Sequence, residues 1–290
     1  MIYLLLSSVD LNIIININMN KLQIIDDSPA SAAPPASAAP PAQPLKKTRT
    51  KRIVNVLDKC YTTDNGSIEI GVDEAGRGPM MGRVYTAAVI LPKDDSFDHS
   101  LMKDSKKFHS EKKIREAAEY IKKHALAWSV SYSTESEIDQ HNIRNATHNS
   151  MHKSIKGVLH SRDYNKYTLL IDGNDFKPLM LYDDDAGIMQ VRHVCIEGGD
   201  NKYSAIAAAS ILAKVSRDTY IEELCKEHPY LDEKYDLLKN KGYGTAKHMT
   251  GIREHGISPF HRKTFGLCRH QPLTKVEPNN TFEKSVAKPM

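Results

Sequence analysis

The amino-acid sequence predicts an α/β fold, because short apolar strands and longer helical segments alternate over about 200 residues. The clearest strand begins at Ile68, where isoleucine and valine alternate with Glu69 and Gly71 in the period-2 pattern of a half-buried strand. The clearest helix runs from Tyr203 to about Lys226, and its many alanines favour close packing on a sheet. These two segments enclose the rest of the predicted sheet.

The other expected elements lie between or just after these segments, in a globular region that begins near residues 54–67. In chain order we expect a strand at 84–91, a helix at 111–125 with Ser110 as its N-cap, a strand at 127–132, a helix at 135–160 broken near His141-Asn142, and strands at 167–171 and 190–196. Asp183-Asp184-Asp185 is interpreted as a loop insertion between the last two strands.

Residues 1–52 form a low-complexity extension that we expect to be disordered. A Pro/Ala-rich tether at 28–44 precedes a basic run at 46–52, and the start of the protein is either Met1 or Met19. Six basic and three acidic side chains give the extension +3 of the net charge of +4, which leaves +1 for the remainder. The basic run is interpreted as a solvated linker end, with phosphate contact or nuclear localisation as the alternative. No apolar run approaches the roughly 18–20 residues of a membrane span.

The remaining chain is assigned to one domain at 53–270 and a flexible tail at 271–290. Its four cysteines are far apart and include no CxxC pair. We therefore expect free thiols in a reducing compartment and no zinc site.

Two adjacent acids, Asp73 and Glu74, follow the first strand and precede the Gly-Arg-Gly turn, Gly76-Arg77-Gly78. Neighbours on a strand point to opposite faces, so we expect the strand to break here if both acids share one site. The glycines would let backbone N–H groups approach a ligand closely, with Arg77 as a fixed cation for phosphate.

Two further acids stand at the ends of elements. Asp172 ends an apolar strand, and Asp200 follows a Gly-Gly turn and opens a helix. Strand ends are where ligand-binding groups gather in sheet-based folds, although an aspartate beside glycine is also an ordinary turn residue. Four carboxylates without histidine or cysteine suit two Mg²⁺ or Mn²⁺ ions, which can activate water and stabilise a phosphodiester leaving group.

Six blocks, covering about Ile68 to Leu267, resemble the ribonuclease HII family and follow its order. They are GVDEAGRGPMMG (71–82), KDSKKFHSEKK (103–113), AWSVSYSTESEIDQHNI (127–143) continuing to LLIDGN (169–174), GGDNKYSAIAAASILAKVSRD (198–218), KGYGTAKH (241–248) and GISPFHRKTF (256–265). The resemblance implies an RNase H-like fold with a mixed five-stranded sheet flanked by helices and a helical C-terminal portion.

The resemblance also assigns roles to individual residues. It implies catalytic and metal-binding roles for Asp73, Glu74, Asp172 and Asp200, ribonucleotide recognition by Gly76, Arg77 and Gly78, stacking of Tyr243 on the following sugar, and nucleic-acid contacts from Ser105 and Lys106. The backbone of the Gly-Arg-Gly turn would recognise the 2′-OH, which distinguishes RNA from DNA. His261 and Arg262 are interpreted as structural or backbone-contacting.

The implied activity is endonucleolytic cleavage of RNA–DNA hybrids, and of duplex DNA on the 5′ side of an embedded ribonucleotide. Two Mg²⁺ or Mn²⁺ ions would take part, and the products would carry 3′-OH and 5′-phosphate ends. We expect a monomeric, cytoplasmic, bacterial-style enzyme without membrane contact, although the basic run leaves a nuclear placement open.

Two positions near the expected site depart from the family pattern. Gly198 stands where the family often has lysine, and Lys202 could compensate for the missing cation. Arg83 stands where proline is usual and would add positive charge beside the site.

Three alternatives stay open from the sequence: an HIII-type or eukaryotic-type enzyme of the same superfamily, a hybrid-binding module without catalysis, and an adaptor whose extension recruits a partner. The presence of all four acids disfavours the second alternative.

Overall fold

A six-stranded mixed sheet lies at the centre of the protein in the computed structural model, which describes residues 13–17, 56–64, 66–183 and 186–273. The strands are β1 (Ile13–Ile17), β2 (Ile68–Ala75), β3 (Val84–Ile90), β4 (Ala127–Ser133), β5 (Tyr167–Asp172), β6 (Met180–Asp183), β7 (Gly187–Gln190) and β8 (Arg192–Ile196). The sheet order is β1-β4-β3-β2-β5-β8, and β6 and β7 form a separate two-stranded sheet.

Strand direction determines which ends meet. β2, β3 and β4 are antiparallel neighbours, whereas β5 is parallel to β2 and β8 is parallel to β5. The carboxyl ends of β2, β5 and β8 therefore meet at one edge of the sheet, where ligands bind in folds of this kind. The five neighbouring strands β4, β3, β2, β5 and β8 confirm the expected mixed five-stranded sheet.

The sixth strand, β1, was not expected. Ile13–Ile17 pairs antiparallel with β4, so the expectation that the whole extension is disordered is wrong for these five residues. A run of β-branched isoleucines suits a pleated strand, and β4 would otherwise present an unpaired edge. The Pro/Ala tether and the basic run lie outside the described residues.

Helices cover both faces of the sheet. They are α1 (Glu111–His124), α2 (Glu135–Val158), α3 (Ser204–Glu227), α4 (Tyr230–Tyr235), α5 (Leu237–Asn240) and α6 (Ala246–His255). α3 and α1 share one apolar core with β3 and β4, and α2 packs on the opposite face through Met151, Ile155 and Val158. The short helices α4 to α6 form the expected helical C-terminal portion.

The alanine-rich start of α3 comes unusually close to β2. A β-carbon built on Gly71 would lie 2.1 Å from the carbonyl carbon of Ala205, a distance that no side chain tolerates. Gly71 therefore allows α3 to contact the strand backbone directly. This contact places the residues of α3 beside the carboxyl end of β2.

Some boundaries differ from the sequence predictions. The predicted loop insertion is the β6–β7 hairpin, with Asp184 and Asp185 outside the described residues. The predicted strand at 190–196 is divided at Val191, which is buried and donates its N–H to the Leu179 carbonyl at 3.0 Å, in the register of the β6–β7 hairpin. The break in α2 is confirmed at Asn142, which has a φ of 64°.

Further findings concern the start of α1, the predicted tail, the cysteines and the apolar character of the helices. Ser110 precedes α1 but makes no side-chain capping bond. The first residues of the predicted tail are held in place, since Ile257 donates its N–H to Pro272 at 2.9 Å, whereas residues 274–290 lie outside the described part. The four cysteines are free thiols. None of the helices described has the length and apolar character needed to cross a bilayer.

Candidate active site

Asp73 and Glu74 lie within β2, which continues to Ala75 without a break. Asp73 pairs with Ala87 and Glu74 with Thr86 in the ladder to β3. The predicted break between the two acids is therefore wrong. Asp73 lies toward α3, where the hydroxyl of Ser210 hydrogen bonds to its carboxylate, and one Asp73 oxygen also accepts the N–H of Glu74 at 2.6 Å.

Asp172 and Asp200 join this pair through strand register and a turn. Val72 pairs with Ile171, so the next residues along the two parallel strands, Asp73 and Asp172, are neighbours. Asp172 Oδ1 accepts the N–H of Gly199 at 2.7 Å and that of Asp200 at 3.4 Å. The turn after β8 is thus tied to the end of β5, which brings Asp200 to the same edge of the sheet.

The electrostatics of the four acids reflect this grouping. Burial raises the pKa of Asp73 well above its usual range, and the charges of Glu74 and Asp172 raise it further. Burial also raises the pKa of Glu74 and of Asp200, with Asp172 adding to both shifts. Buried carboxylates that repel one another are costly unless a cation or proton lies among them.

The chemistry of these donors fits hard divalent cations. All four side chains offer oxygen ligands, which Mg²⁺ and Mn²⁺ prefer. Within the described ranges, no three Asp, Glu, His or Cys side chains are already arranged as ligands of a single ion. The N–H of Gly199 and the guanidinium of Arg77, at 3.4 Å from Glu74, already bond to oxygens of this group, and a bound cation would compensate the repulsion among the carboxylates.

A fifth acid, Asp104, was missed by the sequence analysis. It is buried, accepts the backbone N–H of Lys106 at 2.9 Å and the side-chain amide of Asn201 at 3.3 Å, and raises the pKa of Asp200. Asp104 therefore fixes the segment that carries Ser105 and Lys106 beside the site. Its position in the DSKK block was visible, but only the fold brings it near Asp200.

Ser105 and Lys106 behave differently. Ser105 is buried and its hydroxyl lies 3.0 Å from that of Ser210, the residue that hydrogen bonds to Asp73. Lys106 is exposed. Its charge partly offsets the rise in the pKa of Glu74 and of Asp200 that burial causes. A cation near Asp200 is thus supplied by Lys106, while compensation by Lys202 stays a prediction.

Arg262 holds the Gly-Arg-Gly turn from behind. Its side chain is fully buried (0% exposed). Its guanidinium donates to the carbonyls of Gly76 (2.6 Å), Arg77 (2.9 Å), Pro79 (2.7 Å) and Gly82 (2.8 Å). In a trans peptide the C=O and the following N–H point in opposite directions, so the N–H groups of Arg77 and Gly78 point away from Arg262. The interpretation of Arg262 as a structural residue is confirmed.

A second buried arginine, Arg217, explains why position 76 is occupied by glycine. This residue has a φ of 95°, and a β-carbon on it would lie 2.2 Å from Nε of Arg217. Arg217 donates in turn to the carbonyls of Arg83, Met81 and Lys241. Glycine is therefore required at position 76 by the packing of Arg217 and by the positive φ of the backbone, and close approach of a ligand to this turn stays a prediction.

Tyr243 lies beside the Gly-Arg-Gly turn. The loop that carries it is joined to the turn region by the Met80 N–H, which donates to the Gly242 carbonyl at 2.8 Å. Gly78 faces the ring, since a β-carbon there would lie 3.4 Å from Tyr243 Cε1. The ring is half exposed, as is Arg77. One open surface thus presents an aromatic ring, a cation and backbone N–H groups next to the carboxylates.

Arg83 does not extend into this surface as a free cation. Its guanidinium lies over the rings of Tyr132 and Tyr220, at 4.2 and 4.5 Å from their centroids. The positive charge predicted beside the site is therefore held between two aromatic rings.

The sheet topology and the carboxylates at its edge define the class of protein, a metal-dependent hydrolytic nuclease with an RNase H-like fold. Residues 70–268 match the family model for Ribonuclease HII. The chain is 46% identical to Ribonuclease HII of Phocaeicola vulgatus over 72% of this chain and 94% of the relative. It is 44% identical to Ribonuclease HII of Cytophaga hutchinsonii over 69% and 90% of the two chains. The chain belongs to the ribonuclease HII family.

Solved structures support the fold. The ribonuclease H2 of Pyrococcus horikoshii superposes with a TM-score of 0.54 and 21% identity, covering 69% of this chain and 95% of that one. The RNase HII in the PCNA complex of Archaeoglobus fulgidus gives 0.52 and 23%, covering 69% and 96%. Family membership makes the chain a metal-dependent endoribonuclease that acts on RNA–DNA hybrids. The hypothesis of a binding module without catalysis is thereby rejected.

Proposed function

We propose that the chain cuts duplex DNA on the 5′ side of an embedded ribonucleotide, as well as the RNA strand of hybrids, leaving 3′-OH and 5′-phosphate ends. The observation that carries this proposal is the juxtaposition of the Gly-Arg-Gly turn and Tyr243 beside Asp73 and Glu74. A site that only bound phosphate would not need an aromatic ring beside the turn.

The four acids Asp73, Glu74, Asp172 and Asp200 would hold two divalent ions, Mg²⁺ or Mn²⁺. Such ions supply an activated water and stabilise the leaving 3′ oxygen when they are bound. The acids lie at the edge of the site where the scissile phosphate would bind. Lys106 offers an exposed cation for the nucleic-acid backbone. Ser105 contributes by positioning Ser210, in addition to any direct contact with nucleic acid.

Recognition of the ribonucleotide is assigned to the turn and the ring. The N–H groups of Arg77 and Gly78 point away from Arg262 and are available to the 2′-OH. The ring of Tyr243 stacks on the following sugar, and Arg77 contacts phosphate with its half-exposed guanidinium. Gly78, which faces the Tyr243 ring, leaves this surface open to a sugar.

Cleavage of a DNA duplex containing one ribonucleotide, compared with a continuous RNA–DNA hybrid, tests the proposal directly. With Mg²⁺ or Mn²⁺ we expect a single cut on the 5′ side of the ribonucleotide. The product should carry a 5′-phosphate end that a DNA ligase can join. Cleavage of the continuous hybrid alone would reject the proposed roles of Arg77 and Tyr243 while leaving the family assignment intact.

Asp73→Asn and Asp172→Asn are expected to abolish turnover without unfolding the chain, because each removes a charged oxygen ligand but keeps the side-chain shape. Turnover in the presence of each metal and thermal unfolding measure the two effects. Retained activity in both variants would contradict the assigned roles.

Tyr243→Ala is expected to reduce cleavage at a single ribonucleotide by roughly 5- to 150-fold, taking for this ring the about 1–3 kcal/mol that an aromatic stacked on a base contributes. Cleavage of the continuous hybrid should fall less. Tyr243→Phe is the matched control because it keeps the ring and loses only the hydroxyl. An unchanged ratio of the two activities in Tyr243→Ala would remove the stacking role.

The cellular location, oligomeric state and domain bounds of the enzyme are part of the same proposal. We infer a cytoplasmic, bacterial-style monomer in which residues 53–270 form the catalytic domain. A chain lacking residues 1–52 should then retain its activity as a purified protein, whereas recruitment of a replication partner would be lost if the extension acts as an adaptor. Loss of purified activity would show that the extension, including β1, supports the catalytic domain.

A further inference from the structure

Two buried histidines, His248 and His261, lie directly beneath the loop of Tyr243. His248 comes from α6, and His261 comes from the segment that also carries Arg262. Their side chains are 0% and 1% exposed, and their Nε2 atoms lie 3.0 Å apart. Two imidazoles in direct contact away from solvent can hydrogen bond only if one donates and the other accepts.

The surrounding contacts determine the direction of this bond. The backbone N–H of Ser258 donates to His261 Nδ1 at 2.9 Å, so that nitrogen carries no proton. A neutral His261 therefore carries its proton on Nε2 and donates to His248 Nε2. His248 must then be protonated on Nδ1, which donates to the carbonyl of Tyr243 at 2.9 Å. A single arrangement of protons thus connects Ser258 to Tyr243.

Both rings are held in their neutral form. Burial lowers the pKa of His248 and lowers that of His261 to about 3, with His248 contributing to the second shift. The ring of Tyr235 packs against the pair, with its centroid 4.8 Å from His261 and 5.8 Å from His248. Its own hydroxyl donates to the Gly256 carbonyl at 3.1 Å. A second proton on either ring would place two N–H groups against each other.

The backbone of Tyr243 depends on these contacts. Its N–H donates to the Asn240 carbonyl, and its C=O accepts from both His248 and the Thr245 N–H. The ring itself is half exposed, so the direction in which it points is determined by the loop backbone more than by side-chain packing. His248 provides the side-chain bond that fixes the Tyr243 peptide from below.

We propose that His248 and His261 form a one-directional hydrogen-bond relay that positions Tyr243 for recognition of the ribonucleotide junction. The two histidines are positioning residues, since neither is exposed to substrate. This inference rests on the proposed function of Tyr243 and extends it to two residues that act only through that loop.

Two substitutions of His261 separate positioning from simple packing. A glutamine amide reaches the place of Nε2, so His261→Gln keeps a donor for His248. An asparagine amide reaches only the place of Nδ1, so His261→Asn keeps the bond to Ser258 and loses the donor to His248. We expect His261→Asn to lower the ratio of kcat/KM on the single-ribonucleotide duplex to that on the continuous hybrid by about tenfold, as for one lost hydrogen bond. His261→Gln should stay within about twofold.

A double variant with Tyr243→Ala shows whether the effect passes through Tyr243. Because the relay acts only through this residue, His261→Asn should cause no additional loss of preference in the Tyr243→Ala background. Additive losses would overturn the proposal, as would equal effects of His261→Gln and His261→Asn. If Tyr243→Ala alone leaves the preference unchanged, the proposed function fails and the relay with it. If Tyr243→Ala changes the preference and His261→Asn does not, only the relay fails.

The proton positions are a second, independent test. Nitrogen-15 NMR of the imidazoles should show His261 protonated on Nε2 and His248 on Nδ1 at neutral pH, with the signals assigned from His261→Gln and from His248→Gln. This measurement does not depend on activity. The opposite tautomers, or a charged ring, would overturn the relay.

Discussion

Replacement of Arg262 by lysine tests how the Gly-Arg-Gly turn is held. The guanidinium spans four carbonyls, from Gly76 to Gly82, with donor–acceptor distances of 2.6–2.9 Å and no exposure to solvent. The single nitrogen of lysine keeps the charge but cannot span this set, so we expect at least two carbonyls to lose their donor. An unsatisfied buried group costs about 1–3 kcal/mol, which gives a loss of about 2–6 kcal/mol in the free energy of unfolding.

Urea unfolding of Arg262→Lys measures this loss, and cleavage of the single-ribonucleotide duplex measures its effect on function. Arg253→Lys is the matched control, because Arg253 is exposed on α6 and its replacement should change stability by less than about 0.5 kcal/mol. We expect Arg262→Lys to lose junction cleavage more than hybrid cleavage, because the N–H groups of Arg77 and Gly78 lose their orientation. A loss of stability below about 1 kcal/mol with unchanged junction cleavage would refute the reasoning.

Two further predictions concern stability. Gly71→Ala should destabilise the fold by about 1–3 kcal/mol or more in urea unfolding, because its β-carbon would lie 2.1 Å from the Ala205 carbonyl carbon; an unaffected variant would show that α3 can move away from β2 without cost. Burial lowers the pKa of His261 to about 3, so the unfolded chain takes up this proton first as the pH falls below about 6.5. The stability conferred by the neutral ring is complete above pH 6.5 and is lost between about pH 6.5 and 3, by about 1.4 kcal/mol per pH unit. The unfolding free energy of His261→Gln should therefore depend less steeply on pH over this window, and equal slopes would contradict the assignment.

The secondary structure could be predicted where it depends on local pattern. The alternation from Ile68, the alanines of α3 and the weak point at Asn142 all lie within single elements, and the structure agrees with them. Patterns of this kind failed where tertiary contacts decide. β1 forms because the edge of β4 accepts it, and the predicted strand at 190–196 is divided because Val191 pairs with Leu179 in the register of the β6–β7 hairpin.

The same distinction applies to the candidate site: some of its features could be predicted from local sequence patterns, and others could not. Asp73, Glu74, Asp172 and Asp200 were recognisable because acids at the ends of strands and turns are a local feature. The continuation of β2 through Asp73 and Glu74 was not, since the sequence pattern around the glycines indicated a break. Asp104 was also missed, because an aspartate in a polar loop carries no signal of the Asp200 that it will face.

The sequence by itself determined most of the strands and helices, the four acids and the loops to which we assign recognition, because each depends on residues a few positions apart. Only the tertiary structure decided what holds those loops in place. Arg262 bonds to Gly76 across 186 positions, Ser105 to Ser210 across 105, and His248 joins His261 beneath Tyr243. The physical reason is that a buried donor bonds to whichever acceptor the folded chain brings to it, and local residue patterns do not specify that acceptor.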